Sequence, residues 1–159
     1  MTLQEIRERL EMRSLPPSEE RIGGRPAVVG YDKQFRWRWI ATQLNTFIVV
    51  SDFAQDEITV PAFEAFLTES FEYAKKHYSG WPRGLQSGMG VIGILLSGAI
   101  NEDARQYCTG LKTGKKWAGF SIPVAVNTST GEVFSFEKNP MWGRIYYPYF
   151  RELIDALVR

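Results

Sequence analysis

The chain reads as an α+β domain in which a mixed, mainly antiparallel sheet of five or six strands packs against a long central helix and a C-terminal helix. Three observations predict it. Residues 27 to 53 are dominated by alternating or β-branched runs, the residues after Thr59 repeat apolar side chains at threes and fours, and two further strand-like runs precede a last helix-period segment. The size agrees: 159 residues bury a core without metals or disulfides, so one domain is expected. Its parts are an N-terminal helix over 1–15, a loop over 16–26 and the main body over 27–159.

Each element has a local cause. In TLQE, Thr2 stands as N-cap with Glu5 three positions on, and Leu3, Ile6 and Leu10 then form one helical stripe. SLPPSEERIGGRP mixes prolines, glycines and balanced charge, which reads as a loop. AVVGY is short and apolar. QFRWRWI alternates, turning Phe35, Trp37 and Trp39 to one face and Arg36 and Arg38 to the other, and TFIVVSDF follows as a more buried run after a turn near Gln43 to Asn45. Thr59 caps a helix with Pro61 in its first turn, whose apolar stripe is Phe63, Phe66, Leu67, Phe71 and Ala74, to Lys76.

MGVIGILLSGAI, bounded by glycines, reads as a central strand, and Asn101 caps the short helix EDARQYC with its acidic first turn. AGFSIPVAV and EVFSFE flank NTSTG as a hairpin with Gly131 in the turn. Pro123 cannot donate to a ladder and needs an edge or an outward position. Pro148 suits the first turn of a last helix that buries Phe150, Leu153, Ile154 and Leu157.

Composition limits function. The 19 basic and 18 acidic side chains nearly cancel, which removes the overall positive field of a non-specific nucleic-acid binder but leaves room for a local basic patch. One cysteine and one histidine supply two of the four ligands that a structural zinc site needs, so no metal is expected. The longest apolar run, VIGILLSGAI, is too short to cross a bilayer, and MTLQEIRERLEMR lacks the apolar centre of a signal peptide. The expectation is a cytoplasmic protein without a membrane role.

GMGVIG, Gly88 to Gly93, spells the glycine pattern that cradles a dinucleotide pyrophosphate. That chemistry requires a strand, then the glycines, then a helix N-terminus. Here a helix precedes the glycines and the strand begins among them, so backbone packing is the expected role and no cofactor is assigned. Nucleophilic catalysis by Cys108 would need His77 beside it. Metal-assisted hydrolysis would need Glu-x-Lys after an Asp, a motif the chain lacks; Asp52, Asp56 and Glu57 are the nearest carboxylate group. No catalytic residue is assigned, and an enzyme is not favoured.

What stands out is that every Trp has a Lys or Arg within two positions. Cations beside indole rings serve cation–π packing, and also the stacking and phosphate contacts of single-stranded nucleic acids. The candidate binding residues are Arg36, Arg38, Trp81, Arg83, Lys115, Lys116, Trp117 and Trp142. The tail NPMWGRIYYPYF packs aromatic residues densely enough to require burial, as a lid on the core or against a second copy of the chain, the lid being favoured. The expected function is a non-catalytic binding or regulatory role through protein contacts, including self-association. A nucleic-acid-associated role through the basic and aromatic residues is the alternative, and a small hydrolase or nuclease-like enzyme is third.

Overall fold

Thr2 closes both ends of a capping box: its hydroxyl accepts from the Glu5 N–H, and the Glu5 carboxylate accepts from the Thr2 N–H. Two amides that a helix start leaves bare are thereby satisfied, and α1 (Leu3–Met12) follows with Ile6 and Leu10 buried. The structure is a computed structural model that describes residues 1–39, 41–82, 87–111, 119–140 and 144–159.

Residues 16–26, expected as a loop, instead hold a strand. β1 (Ser18–Ile22) pairs antiparallel with β2 (Arg25–Arg36), and Ile22 stands opposite Arg25 across Gly23 and Gly24. Those glycines have φ of 61° and 74°, the left-handed pair that a two-residue hairpin connection demands. The helix stops at Met12, ahead of Pro16-Pro17, where Ser14 takes φ 59° and the Leu15 N–H returns to the Leu10 carbonyl, and the prolines do not prevent pairing from Ser18 on.

AVVGY and QFR form one strand, and the alternation stops at Arg36. Trp37–Trp39 is a single 3-10 turn, Ala41 takes φ 54°, and β3 (Thr42–Asp52) returns antiparallel. The turn is therefore at residues 37–41, and Gln43 to Asn45 lie inside β3. The cause is Trp39. Strict alternation would place it on the face of Phe35, but the 3-10 turn swings it to the opposite one, where it is 1% exposed and meets Tyr146 and Tyr149 edge-on at 5.4 Å. Burying that indole outweighs two more residues of ladder.

Thr59 caps α2 (Val60–His77), whose buried stripe includes the five positions expected from its period. β4 (Ser87–Ser97), α3 (Glu102–Thr109), β5 (Gly119–Asn127), β6 (Val133–Phe134) and α4 (Tyr147–Val158) complete the order. The six strands lie side by side in sequence order. β1, β2 and β3 are antiparallel neighbours, β4 and β5 join parallel, and β6 folds back antiparallel. The architecture is α+β with a mixed six-stranded sheet and four helices.

The helix expected as a long central element is α2, 18 residues on one face of the sheet. The centre is β4, buried along its whole length. Because β3, β4 and β5 follow one another in space, their right-handed crossovers set α2 and α3 on the same face, while α1 and α4 cover the other. Pro123 sits where, among the described residues, β6 pairs with Ala125 and Val126 and no strand borders β5 further along. In the tail, Tyr147, Tyr149 and Phe150 are buried against Phe120, Phe136 and Trp39, the lid arrangement.

Candidate functional site

β2 ends, and β3, β4 and β5 begin, at one end of the sheet, and α2 delivers residues 78–82 to the same end. Asn45 on β3 is fully buried and organises this region. Its Nδ2 lies 3.2 Å from Gln43 Oε1, Tyr78 Oη and Ser87 Oγ, and its Oδ1 accepts the Tyr31 hydroxyl at 2.6 Å. Gln43 Oε1 accepts the Trp81 N–H at 2.9 Å, while the Tyr78 hydroxyl donates to the Trp81 carbonyl. Buried amides that satisfy one another rigidify what they hold. Here they hold the backbone of Trp81.

So held, Trp81 meets Phe35 at 5.6 Å, and Phe35 meets Trp37 edge-on at 5.3 Å. The three rings form one cluster and remain in solvent: Trp37 is 80% exposed, Trp81 44% and Phe35 39%. Lys33 donates to the Ser79 carbonyl at 2.9 Å and sits over the Tyr31 ring. Arg38 is exposed and has no carboxylate partner among the described residues. Arg36 is only half-exposed, its guanidinium 4.9 Å from the Trp39 ring and 5.2 Å from that of Tyr149, so its charge is spent on the lid.

The eight candidate residues thus divide. Trp81 and Arg38 stand on the exposed cluster, and Arg36 packs behind it. Arg83, Lys115, Lys116, Trp117 and Trp142 lie outside the described residues. Phe35, Trp37 and Lys33 were not among the candidates: alternation turned the rings of Phe35 and Trp37 to the core, whereas both are exposed, and nothing local marks the strand end that leaves them so. The scaffold of Gln43, Asn45 and Tyr78 has no short-range signature either, because its members come together only across β3, α2 and β4.

The other chemical candidates are engaged elsewhere. Cys108 is fully buried, and burial pushes its thiol well above the ordinary range, the reverse of an activated nucleophile. His77 is exposed, stacked on Tyr73 at 3.9 Å with Nδ1 2.9 Å from the Tyr73 carbonyl. Asp52 accepts the Ala54 N–H in a turn and Asp56 pairs with Arg25 at 2.6 Å; no group of three metal-ligating side chains occurs among the described residues. Gly88, Gly90 and Gly93 all lie within β4. A Cβ on Gly93 would stand 2.5 Å from Leu67 and 3.2 Å from Phe66, and one on Gly90 3.0 Å from the Phe150 ring. These glycines let α2 and α4 approach the sheet.

At the opposite end, where parallel sheets often hold ligands, the connections fill the space between the strands. Ser97 Oγ donates to the Asp56 carbonyl at 2.6 Å, Gly98 N–H to the Ala54 carbonyl at 2.8 Å and Thr128 N–H to the Ser97 carbonyl at 3.0 Å. With both crossover helices on one face, the parallel strands have no point where the winding reverses, the feature that opens such a crevice. No described helix is long and apolar enough to cross a membrane. Comparison of the chain with family models, curated proteins and solved structures finds no match.

Proposed function

We propose that this chain is a non-catalytic binding domain that meets a macromolecular partner through the Phe35, Trp37 and Trp81 cluster. The observation that carries the reading is the pairing of exposure with fixation. Three contacting aromatic rings left in solvent forgo the stabilisation that burial would bring, about 1.5–3 kcal/mol for a large side chain. Yet one of them is held by a buried hydrogen-bonded scaffold. Exposed, rigid aromatic side chains give large contact area at low entropic cost and recur as binding hot spots. The engaged state of Cys108 and of Asp52 and Asp56 favours binding over turnover.

A photo-crosslinking residue in place of Trp37, compared with one in place of Ser129 at the far end of the sheet, tests this in cells producing the chain. Macromolecular adducts are expected from position 37 and not from position 129. Equal labelling at both positions, or none at position 37, contradicts the reading.

A further inference from the structure

The net charge of +1 conceals a segregation that the topology exposes. Residues 33–51, 73–101, 104–131 and 138–151 contain none of the 18 Asp and Glu residues and most of the 19 Lys and Arg residues. These stretches include the start of every parallel strand and the approach to α4. Among the described residues, Lys33, Arg36 and Arg38 lie where β2 ends, Lys75 and Lys76 where α2 ends, and Arg144 just before α4, which begins at the same end. The nearest carboxylate in sequence, Asp32, is buried on the opposite face of β2, where it accepts the Tyr149 hydroxyl and the Gln34 amide. Lys33, Arg38, Lys76 and Arg144 take part in none of the described ion pairs. Asp52, Asp56, Glu57, Glu102, Asp103 and Glu132 lie at or beside the other end. Among the described residues, these carboxylates, two of them paired with Arg25 and Arg105, stand at the opposite end of the strands from Lys33 and Arg38.

Resting on that binding role, we propose that the aromatic end binds single-stranded nucleic acid. Unpaired cations call for an anionic partner, and exposed indole and phenyl faces call for flat apolar groups. Unpaired bases on a phosphate backbone supply both in one polymer. A duplex hides its base faces and offers the rings nothing to stack on. An acidic protein would answer the cations but supplies no repeated planar groups. Trp37, Trp81 and Phe35 are assigned to stacking, and Lys33 and Arg38 to phosphate contact. The absence of carboxylates between them keeps the local potential positive in spite of the balanced total.

The test is a fluorescence titration of the full chain with a 15-nucleotide oligo-dT, with the matching duplex, with poly-glutamate and with vesicles containing anionic lipid. Single strands are expected to quench Trp emission and to bind more tightly than the duplex. Two phosphate contacts imply a salt slope of about −1.4, a loss of roughly 7-fold between 50 and 200 mM salt. Trp37→Ala should weaken binding roughly 5- to 150-fold by loss of one stacking platform. Arg38→Glu should weaken it and flatten the slope, whereas Arg21→Glu, at the turn between β1 and β2, should leave affinity unchanged. No quenching by oligo-dT at low salt, or equal affinity for duplex and single strand, overturns the inference. If oligo-dT fails while poly-glutamate or vesicles quench in a Trp37-dependent way, the nucleic-acid assignment falls and the binding surface stands. If nothing quenches, the nucleic-acid assignment falls, and the crosslinking comparison of positions 37 and 129 decides the binding surface.

Discussion

Trp37 and Trp39 stand two positions apart, share a basic neighbour and have opposite fates. Trp39→Ala removes a fully buried indole from the lid and should cost about 3–5 kcal/mol in urea unfolding, whereas Trp37→Ala, on a side chain in solvent, should stay within about 0.5 kcal/mol of the parent. Equal costs would mean that the 3-10 turn is misplaced. Gly93→Ala drives a methyl group towards Leu67 and Phe66 and should destabilise by about 1–3 kcal/mol through overpacking. Ionisable side chains add a dependence on pH. Burial raises the Cys108 thiol from 9.0 and lifts the Tyr107 and Tyr147 hydroxyls from 10.0 to about 12. Above those ordinary values the unfolded chain releases protons that the folded chain retains, so stability should fall as pH rises through 9 and beyond. The midpoint of urea unfolding measured at pH 8, 9 and 10 reads this directly, and a midpoint that rises over that range would contradict it.

At the level of elements, what was legible in the sequence is what has a local cause. Thr2 with Glu5, Thr59 with Pro61, and Asn101 are caps whose signals lie within three residues, and the helices begin where those residues place them. The last helix was equally readable from Pro148 and the repeat of Phe150, Leu153, Ile154 and Leu157. β1 was missed because Pro16-Pro17 and the charged SEER segment suggest a loop, although Gly23-Gly24 carries the hairpin signal. The turn after β2 was misplaced because alternation describes a strand and says nothing of the lid that draws Trp39 out of register. The clamp on Trp81 was invisible, since Asn45, Tyr78 and Ser87 meet only through pairing of β3 with β4 and the end of α2. That clamp makes its own prediction. Asn45→Ala leaves several buried polar partners unmatched and should cost about 1–3 kcal/mol. The released segment should also exchange its Trp81 amide hydrogen faster than the parent does, and unchanged exchange would show that the clamp does not hold the ring.

Across the whole molecule, the sheet acts as a spacer between two chemically different ends. One end is closed by connections that hydrogen-bond to one another and carries much of the acidic charge; the other presents exposed rings and unpaired cations. Composition alone hid this, because a total of +1 averages over both ends. The sequence contained the charge segregation all along, but it acquires meaning only once the strand order shows which distant stretches share an end. Glycines that imitate a phosphate cradle illustrate the converse: a strong local motif is overruled by its place inside a strand covered on both faces.

The central claim is that contact with a partner occurs at the aromatic end. Backbone amide shifts mapped by NMR during titration with the 15-nucleotide oligo-dT test it most directly. Perturbations are expected only at residues 33–39, 76–82 and the approach to α4, with Ala54, Gly98 and Ser129 unmoved. Shifts centred on Ala54, Gly98 and Ser129, or spread evenly over both ends, would contradict it.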